Sequence, residues 1–413
     1  MTTAYERLEQ KFARIAVLNE ASAMLSWDAA AMMPDGGAEA RGEQLATLAG
    51  LAHDILCAEE IGEDLDAAAP ETDWQEANVA LMRDSYIRAT ALPRDLVEAS
   101  VRAARACETI WRAARARGDF AAVAPALAEI ISLTRESAQI LGQALGLSPY
   151  DALMSQYQRG ITAADASAIF ARYETFLRDA LPRAEALQAA HPREALPPGP
   201  YPEAVQEALA RQLAAAAGLN FTAARLDRSA HPFCGGTPTD IRITTRYDEA
   251  DFASALTGVL HETGHALYEQ NLPAAFRRQP VGEAAGMAVH ESQSLIIEMQ
   301  AVRSDAFLSH LAPILTTAFG KPVTVPALKH RLRRVARSHD EAAARQRGER
   351  WRQTLERVPV ATSVLDRLML LEQAIYRPQT GVDVPATLAA ARDWLRTAAQ
   401  PRAWKPHPEA GDV

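Results

Sequence analysis

Along most of the chain, apolar residues recur every three or four positions, the period of an amphipathic helix. Residues 4–25 place Leu8, Phe12, Ile15 and Leu18 on one stripe, and the spacing predicts a helix there. Trp27-Asp28 and the Met33-Pro34 pair, with two glycines following, read as its end. A second helical run is expected over 38–63. Further long helices, rich in Ala, Leu, Glu and Arg, are expected over 73–91, 93–117, 120–146 and 163–190. Leu92-Pro93, Gly118-Asp119 and the stretch 146–150 mark the breaks between them. Residues 191–202 are proline-rich and exclude regular helix, which resumes over 203–217.

Then the period changes. Residues 222–247 are rich in β-branched side chains, alternate at Ile241, Ile243 and Thr245, and contain a Gly-Gly-Thr-Pro turn, so one strand is expected here. Two readings stay open: an edge strand that an extended ligand could join, or a short hairpin closing a helical bundle. A helix is expected through the His261–Gln270 segment, and a short Gly/Pro-punctuated break separates it from the segment carrying Glu291. After Ser294 helix is expected again to about 347, and the tail from 348 mixes helical runs with breaks at Pro359, Pro378 and Pro385. The expected fold class is mainly α, with a small β-sheet. We expect one mostly helical domain over 1–413, with a helical part at 1–200, a chemistry-bearing part at 203–347 and a divergent tail at 348–413.

The most pointed chemistry lies between His261 and Ser294, on either side of that break. His261 and His265 are one turn apart on one helix face, so both imidazoles can reach a single metal ion. Glu262 stands beside them, where a carboxylate can take a proton from water. Such a site needs a third protein ligand from a second helix, and Glu291 is the candidate. Two imidazoles and a carboxylate suit one divalent ion, zinc first, with cobalt or manganese as alternatives. Asp248, Glu249 and Asp251 precede the motif as charges at a helix N-terminus would.

Composition narrows the class. The 413 residues are 48% hydrophobic and 23% charged, an ordinary balance for a chain with a sizeable core. The net charge of −9, with both signs interspersed, offers no case for nucleic acid. Three widely spaced cysteines fit a reducing cytoplasm better than a disulfide framework. No apolar leader or membrane-spanning run is found, so a soluble protein without a membrane partner is expected.

Several segments together resemble the carboxypeptidase Taq family of zinc-type metallocarboxypeptidases. They are residues 25–53 and 150–160, His231-Pro-Phe, Asp240-Ile-Arg-Ile-Thr244, His261-Glu-Thr-Gly-His265 and His290-Glu-Ser-Gln. The resemblance implies a zincin-like, predominantly helical fold with a small sheet beside a groove, and a homodimer. It implies removal of single residues from peptide C-termini with broad side-chain tolerance. Carried over, His261, His265 and Glu291 are the ligands and Glu262 the general base. His231, Asp240, Arg242, Thr244 and His290 become candidates for substrate positioning or for support behind the ligands. Arg242 has two readings, a cation for a terminal carboxylate or a partner for Asp240. His290 also has two, a donor to the developing oxyanion or a contact orienting Glu291.

The resemblance runs to about residue 338. Of the family's later segments, Gln-Asp-x-His-Trp and Gly-Tyr-Phe-Pro are not found, and 332–346 resembles the approach to Ile-Arg-x-x-Ala-Asp without its Ile-Arg pair. In the family these would supply an arginine for the terminal carboxylate, and a histidine and tyrosine near the scissile bond. Two rivals therefore accompany the carboxypeptidase: a metallo-endopeptidase or oligopeptidase with the same ligands, and an inactive metal-binding homologue acting as a binding module.

Overall fold

A computed structural model of the chain describes residues 2–115, 117–191, 194–229 and 232–335. In chain order the helices are α1 (Ala4–Ala31), α2 (Ala38–Leu56), α3 (Glu59–Ala67), α4 (Asp73–Ala91), α5 (Arg94–Arg115), α6 (Phe120–Leu145), α7 (Pro149–Met154), α8 (Ala163–Ala190) and α9 (Glu203–Ala216). Strands β1 (Ala224–Arg228), β2 (Cys234–Thr237) and β3 (Asp240–Thr245) follow, then α10 (Phe252–Gln270), α11 (Met287–Leu295), α12 (Asp305–Phe319) and α13 (Val325–Leu332). The mainly helical fold with a small sheet agrees with the sequence pattern.

The chain divides into two compact units. Of the described residues, one comprises those up to Pro93, Ala138–Gly160 and those from 194 to Arg334, and the other comprises Arg94–Ser137 and those from Ile161 to 191. The second unit packs α5 against the start of α6 through Cys107, Ala114 and Val123. All the site chemistry lies in the first.

α1 begins with a capping box: the Glu6 amide donates to Thr3 Oγ1 at 3.2 Å, and the Thr3 amide to Glu6 Oε2 at 2.7 Å. Leu8, Phe12 and Ile15 form its buried stripe against Ile61, Leu65 and Met82. The helix continues past its expected end to Ala31, because Trp27 is buried and the Met32 and Met33 amides both close on the Asp28 carbonyl. Only Pro34 stops it. The single run expected over 38–63 is two helices instead. Ala58 between them is extended (ψ 138°), a break that no Pro or Gly announces.

The one expected strand is three. Their order is β1-β3-β2, with β1 parallel and β2 antiparallel to β3, so β2 is an edge. β1 falls inside the expected β run, but only Leu226 of its five residues, ARLDR, is buried, so little marks it off as a strand of its own. Gly236 holds φ +91° in the hairpin, and a Cβ there would lie 2.1 Å from the Asp240 carbonyl oxygen, which excludes other residues.

Ile241 and Ile243 of β3 pack on Val259 and Ala266 of α10. The flank of α10 bearing Phe252, Leu256 and Leu260 packs into a second core with Leu209, Leu308, Leu311, Leu315 and Leu328. Clamped from two sides, α10 is a rigid mount for the polar residues it carries. Arg331 and Arg333 near the C-terminal end of α13 pair with Asp251 and Asp305, as a solvated helix face would.

The connection from α10 to α11 is pinned to the N-terminal helices. Asn78 of α4, fully buried, donates to Tyr5 Oη (3.2 Å) and Gln279 Oε1 (3.1 Å) and accepts from the Val281 amide (3.2 Å). At the N-terminus of α11, the Met287 amide donates to the Tyr157 carbonyl (2.8 Å) and the Ala288 amide to Gln158 Oε1 (2.9 Å). The Tyr-Gln of the 150–160 segment thus caps a helix far along the chain.

Candidate metal centre

His261 and His265 project from one face of α10 with ring centroids 4.9 Å apart. Glu291, from α11, brings Oε2 to 3.4 Å from His265 Nε2 and 3.9 Å from His261 Nε2. One ligand atom from each of these three residues lies within 4.8 Å of the others, and no other such His/Cys/Asp/Glu group exists among the described residues. Ligand bonds of ~2.0–2.2 Å in a tetrahedral site set donor atoms about 3.4 Å apart, so these residues fit a zinc-type ion.

Electrostatics favour the ligand forms. Burial holds His265 below the ordinary histidine pKa, and His290 and His261 add to the effect, so its ring is neutral and can offer a lone pair. Glu262, only 7% exposed, has its carboxyl pushed up to about 7. Burial is the main cause; Glu291 adds to it while His261 and His290 oppose it. Burial likewise holds the Cys234 thiol far above its usual range, helped by Glu262 and Glu269. Cys234 is therefore a packing thiol and not a thiolate ligand.

Behind the three residues stand groups that the sequence did not single out. His261 Nδ1 lies 3.0 Å from Glu298 Oε2, and Glu298 Oε1 accepts from Arg303 at 2.9 Å. Glu298 belongs to the π-helical stretch Ile296–Ala301 that continues α11. It follows Glu291 by seven residues, two helical turns, so both carboxylates address the same histidine. That spacing was a legible signal. Glu269, one turn after His265 on α10, accepts from His290 Nε2 (2.8 Å). The other nitrogen of His290 meets His265 Nδ1 at 2.6 Å.

The remaining expected residues divide differently. Arg242 is committed to Asp240 (Nε–Oδ1 3.0 Å, Nη2–Oδ2 2.8 Å) and stacks 4.5 Å above the Trp27 ring. Its neighbours Ile241 and Ile243 face α10, so strand alternation turns Arg242 to the opposite face of the sheet. Thr244 is fully buried, its Oγ1 accepting from Ser229 Oγ (2.7 Å) and from the Phe233 amide (3.1 Å), which ties down the loop before β2. His290 turns to His265 and Glu269 and leaves Glu291 alone. His231 lies outside the described residues.

Two histidines one turn apart and a carboxylate from the next helix thus form a group able to hold a metal ion, with a buried acid beside it. The carboxypeptidase Taq (M32) metallopeptidase family matches residues 7–340, and the chain belongs to it. A domain of unknown function also matches residues 295–397. The thermostable carboxypeptidase 1 of Thermus thermophilus is 36% identical over 324 residues, covering 75% of this chain and 63% of that protein. Carboxypeptidase 1 of Bacillus subtilis is 30% identical over 292 residues, covering 69% and 57%. The chain thus spans less than two thirds of the length of these relatives. Among solved structures, Trypanosoma cruzi metallocarboxypeptidase 1 superposes with a TM-score of 0.77 at 37% identity, covering 81% of this chain and 68% of that one. The M32 carboxypeptidase of Deinococcus radiodurans R1 gives 0.74 at 30%, with the same coverage.

Proposed function

We propose that the protein is a metal-dependent carboxypeptidase that releases single residues from peptide C-termini with broad side-chain tolerance. The observation that carries this is the convergence of His261, His265 and Glu291 with Glu262 buried beside them. These three residues would hold one divalent ion, zinc before cobalt or manganese. The ion would supply Lewis acidity, making water nucleophilic near neutral pH and polarising the scissile carbonyl. Glu262 takes the proton from the attacking water and returns it to the leaving amine, a role suited to a carboxyl poised near neutrality. Both ring nitrogens of His290 are engaged by His265 and Glu269, which favours a supporting role over oxyanion donation.

The edge strand β2, which packs against the helix carrying Glu262, gives an extended peptide a place to pair. A cavity of about 350 Å³ at its end, lined by Gly236, Thr237, Glu269, Arg277 and Glu283, gives room for side chains. Cytoplasmic location and homodimeric assembly are part of the same proposal. Three unpaired cysteines suit a reducing compartment, and among the described residues no helix is long and apolar enough to cross a membrane.

The commitment of Arg242 to Asp240 favours one rival, a metallo-endopeptidase lacking a cation for the terminal carboxylate. Mass spectrometry of a ten-residue peptide digested by metal-reconstituted protein separates the readings. A ladder of products shortened from the C-terminus supports the carboxypeptidase. Internal fragments would establish the endopeptidase, and an intact peptide with metal bound would leave the inactive binding module.

A further inference from the structure

We infer that Glu269 is a positioning residue for the metal centre, acting through His290 to fix which nitrogen of His265 carries the proton. The inference rests on the reading of His265 as a ligand. Glu269 stands one turn beyond His265 on the same face of α10. His290, immediately before Glu291 on α11, places its ring between them. His290 Nε2 is 2.8 Å from Glu269 Oε1, and His290 Nδ1 is 2.6 Å from His265 Nδ1. The Tyr268 ring meets His290 edge-on at 5.4 Å and limits its rotation.

Counting protons along this chain leaves one arrangement for neutral rings. A carboxylate only accepts, so His290 must carry its proton on Nε2 and donate to Glu269. Its Nδ1 is then a bare lone pair and must accept from His265 Nδ1–H. His265 is left with its lone pair on Nε2, the atom that faces Glu291 Oε2 at 3.4 Å. Glu269 thereby selects the ligating tautomer of a histidine it does not touch. At His261 the same outcome is reached in one step, because Glu298 faces Nδ1 directly at 3.0 Å. The two ligand histidines are therefore held by carboxylates at different remove, one direct and one through an imidazole.

Glu269→Gln tests this with little change of shape. A glutamine both donates and accepts, so it permits the reverse chain, in which His290 donates to His265 and His265 Nε2 is protonated and cannot bind metal. The measurement is cobalt(II) affinity by chelator competition, together with the visible spectrum of the cobalt-loaded protein, for wild type, Glu269→Gln and His261→Ala. We expect Glu269→Gln to bind about tenfold more weakly, with a shifted spectrum and an unchanged melting temperature of the metal-free protein. Wild-type affinity and spectrum in Glu269→Gln would overturn the inference. So would a loss of affinity matched by a lower metal-free melting temperature, which would assign Glu269 to the fold. Failure of the wild type to bind, or undiminished binding by His261→Ala, would instead remove the ligand assignment beneath it.

Discussion

Gly264 of α10 and Ser294 of α11 meet backbone to backbone: a Cβ on Gly264 would lie 2.5 Å from Ser294 Cα and 2.6 Å from the Gln293 carbonyl oxygen. This crossing, between the two histidines on one side and one turn after Glu291 on the other, sets how far Glu291 reaches. Gly264→Ala should force the helices apart by a few tenths of an ångström or more, costing about 1–3 kcal/mol. It should also weaken metal binding, since Glu291 is carried away from His261 and His265. Thermal melts and metal titration of the same variant check both effects.

Glu298→Gln should weaken metal binding 10–100-fold, because a neutral amide no longer compels His261 Nδ1 to hold the proton. Arg303, its other partner, is then left without a carboxylate. Competition with a metal chelator measures the change, and wild-type affinity in this variant would remove Glu298 from the centre.

The pH dependence of the metal-free protein follows from Glu262. Its folded-state pKa, pushed up to about 7 from an ordinary 4.5 chiefly by burial, means the folded state favours the neutral carboxyl. The associated stability is fully present below 4.5 and is lost as pH rises through 7. Wild type should therefore lose on the order of 2 kcal/mol relative to Glu262→Gln between pH 4.5 and 8. Urea unfolding of both metal-free proteins across that range reads it, and parallel stability profiles would contradict it.

Asn78→Ala should destabilise the fold by about 2–3 kcal/mol. It leaves Gln279 and the Val281 amide without their buried partner and frees the connection between α10 and α11. Denaturant midpoints give the cost, and a change under 0.5 kcal/mol, the ordinary size for a surface substitution, would show that the loop is held by other contacts.

What could be read ahead of the structure was local. His261, Glu262 and His265 declare themselves by a four-residue spacing, and Glu291 follows from the need for a third ligand. Helix positions followed the apolar period well in α4 and α8, where turn residues bracket the run. Glu269 and Glu298 are equally local, four residues after His265 and seven after Glu291, so the same helical period carries them. Asn78 could not have been found, since its partners Gln279 and Val281 lie about 200 positions away and nothing in its own neighbourhood marks it. Arg242 shows the same limit. The Asp240 pairing is visible at two residues' separation, but the Trp27 ring that completes its setting comes from the first helix.

The central claim is that this chain assembles a working hydrolytic centre from His261, His265, Glu291 and Glu262. Its most direct test is the rate of C-terminal amino acid release from a blocked dipeptide by metal-reconstituted protein, with Glu262→Gln assayed beside it at matched metal content. The expected result is release by the wild type and a 10²–10⁴-fold slower rate in a variant that still binds one ion. Equal rates in the two proteins, or no release by a wild type with its metal bound, would contradict the claim.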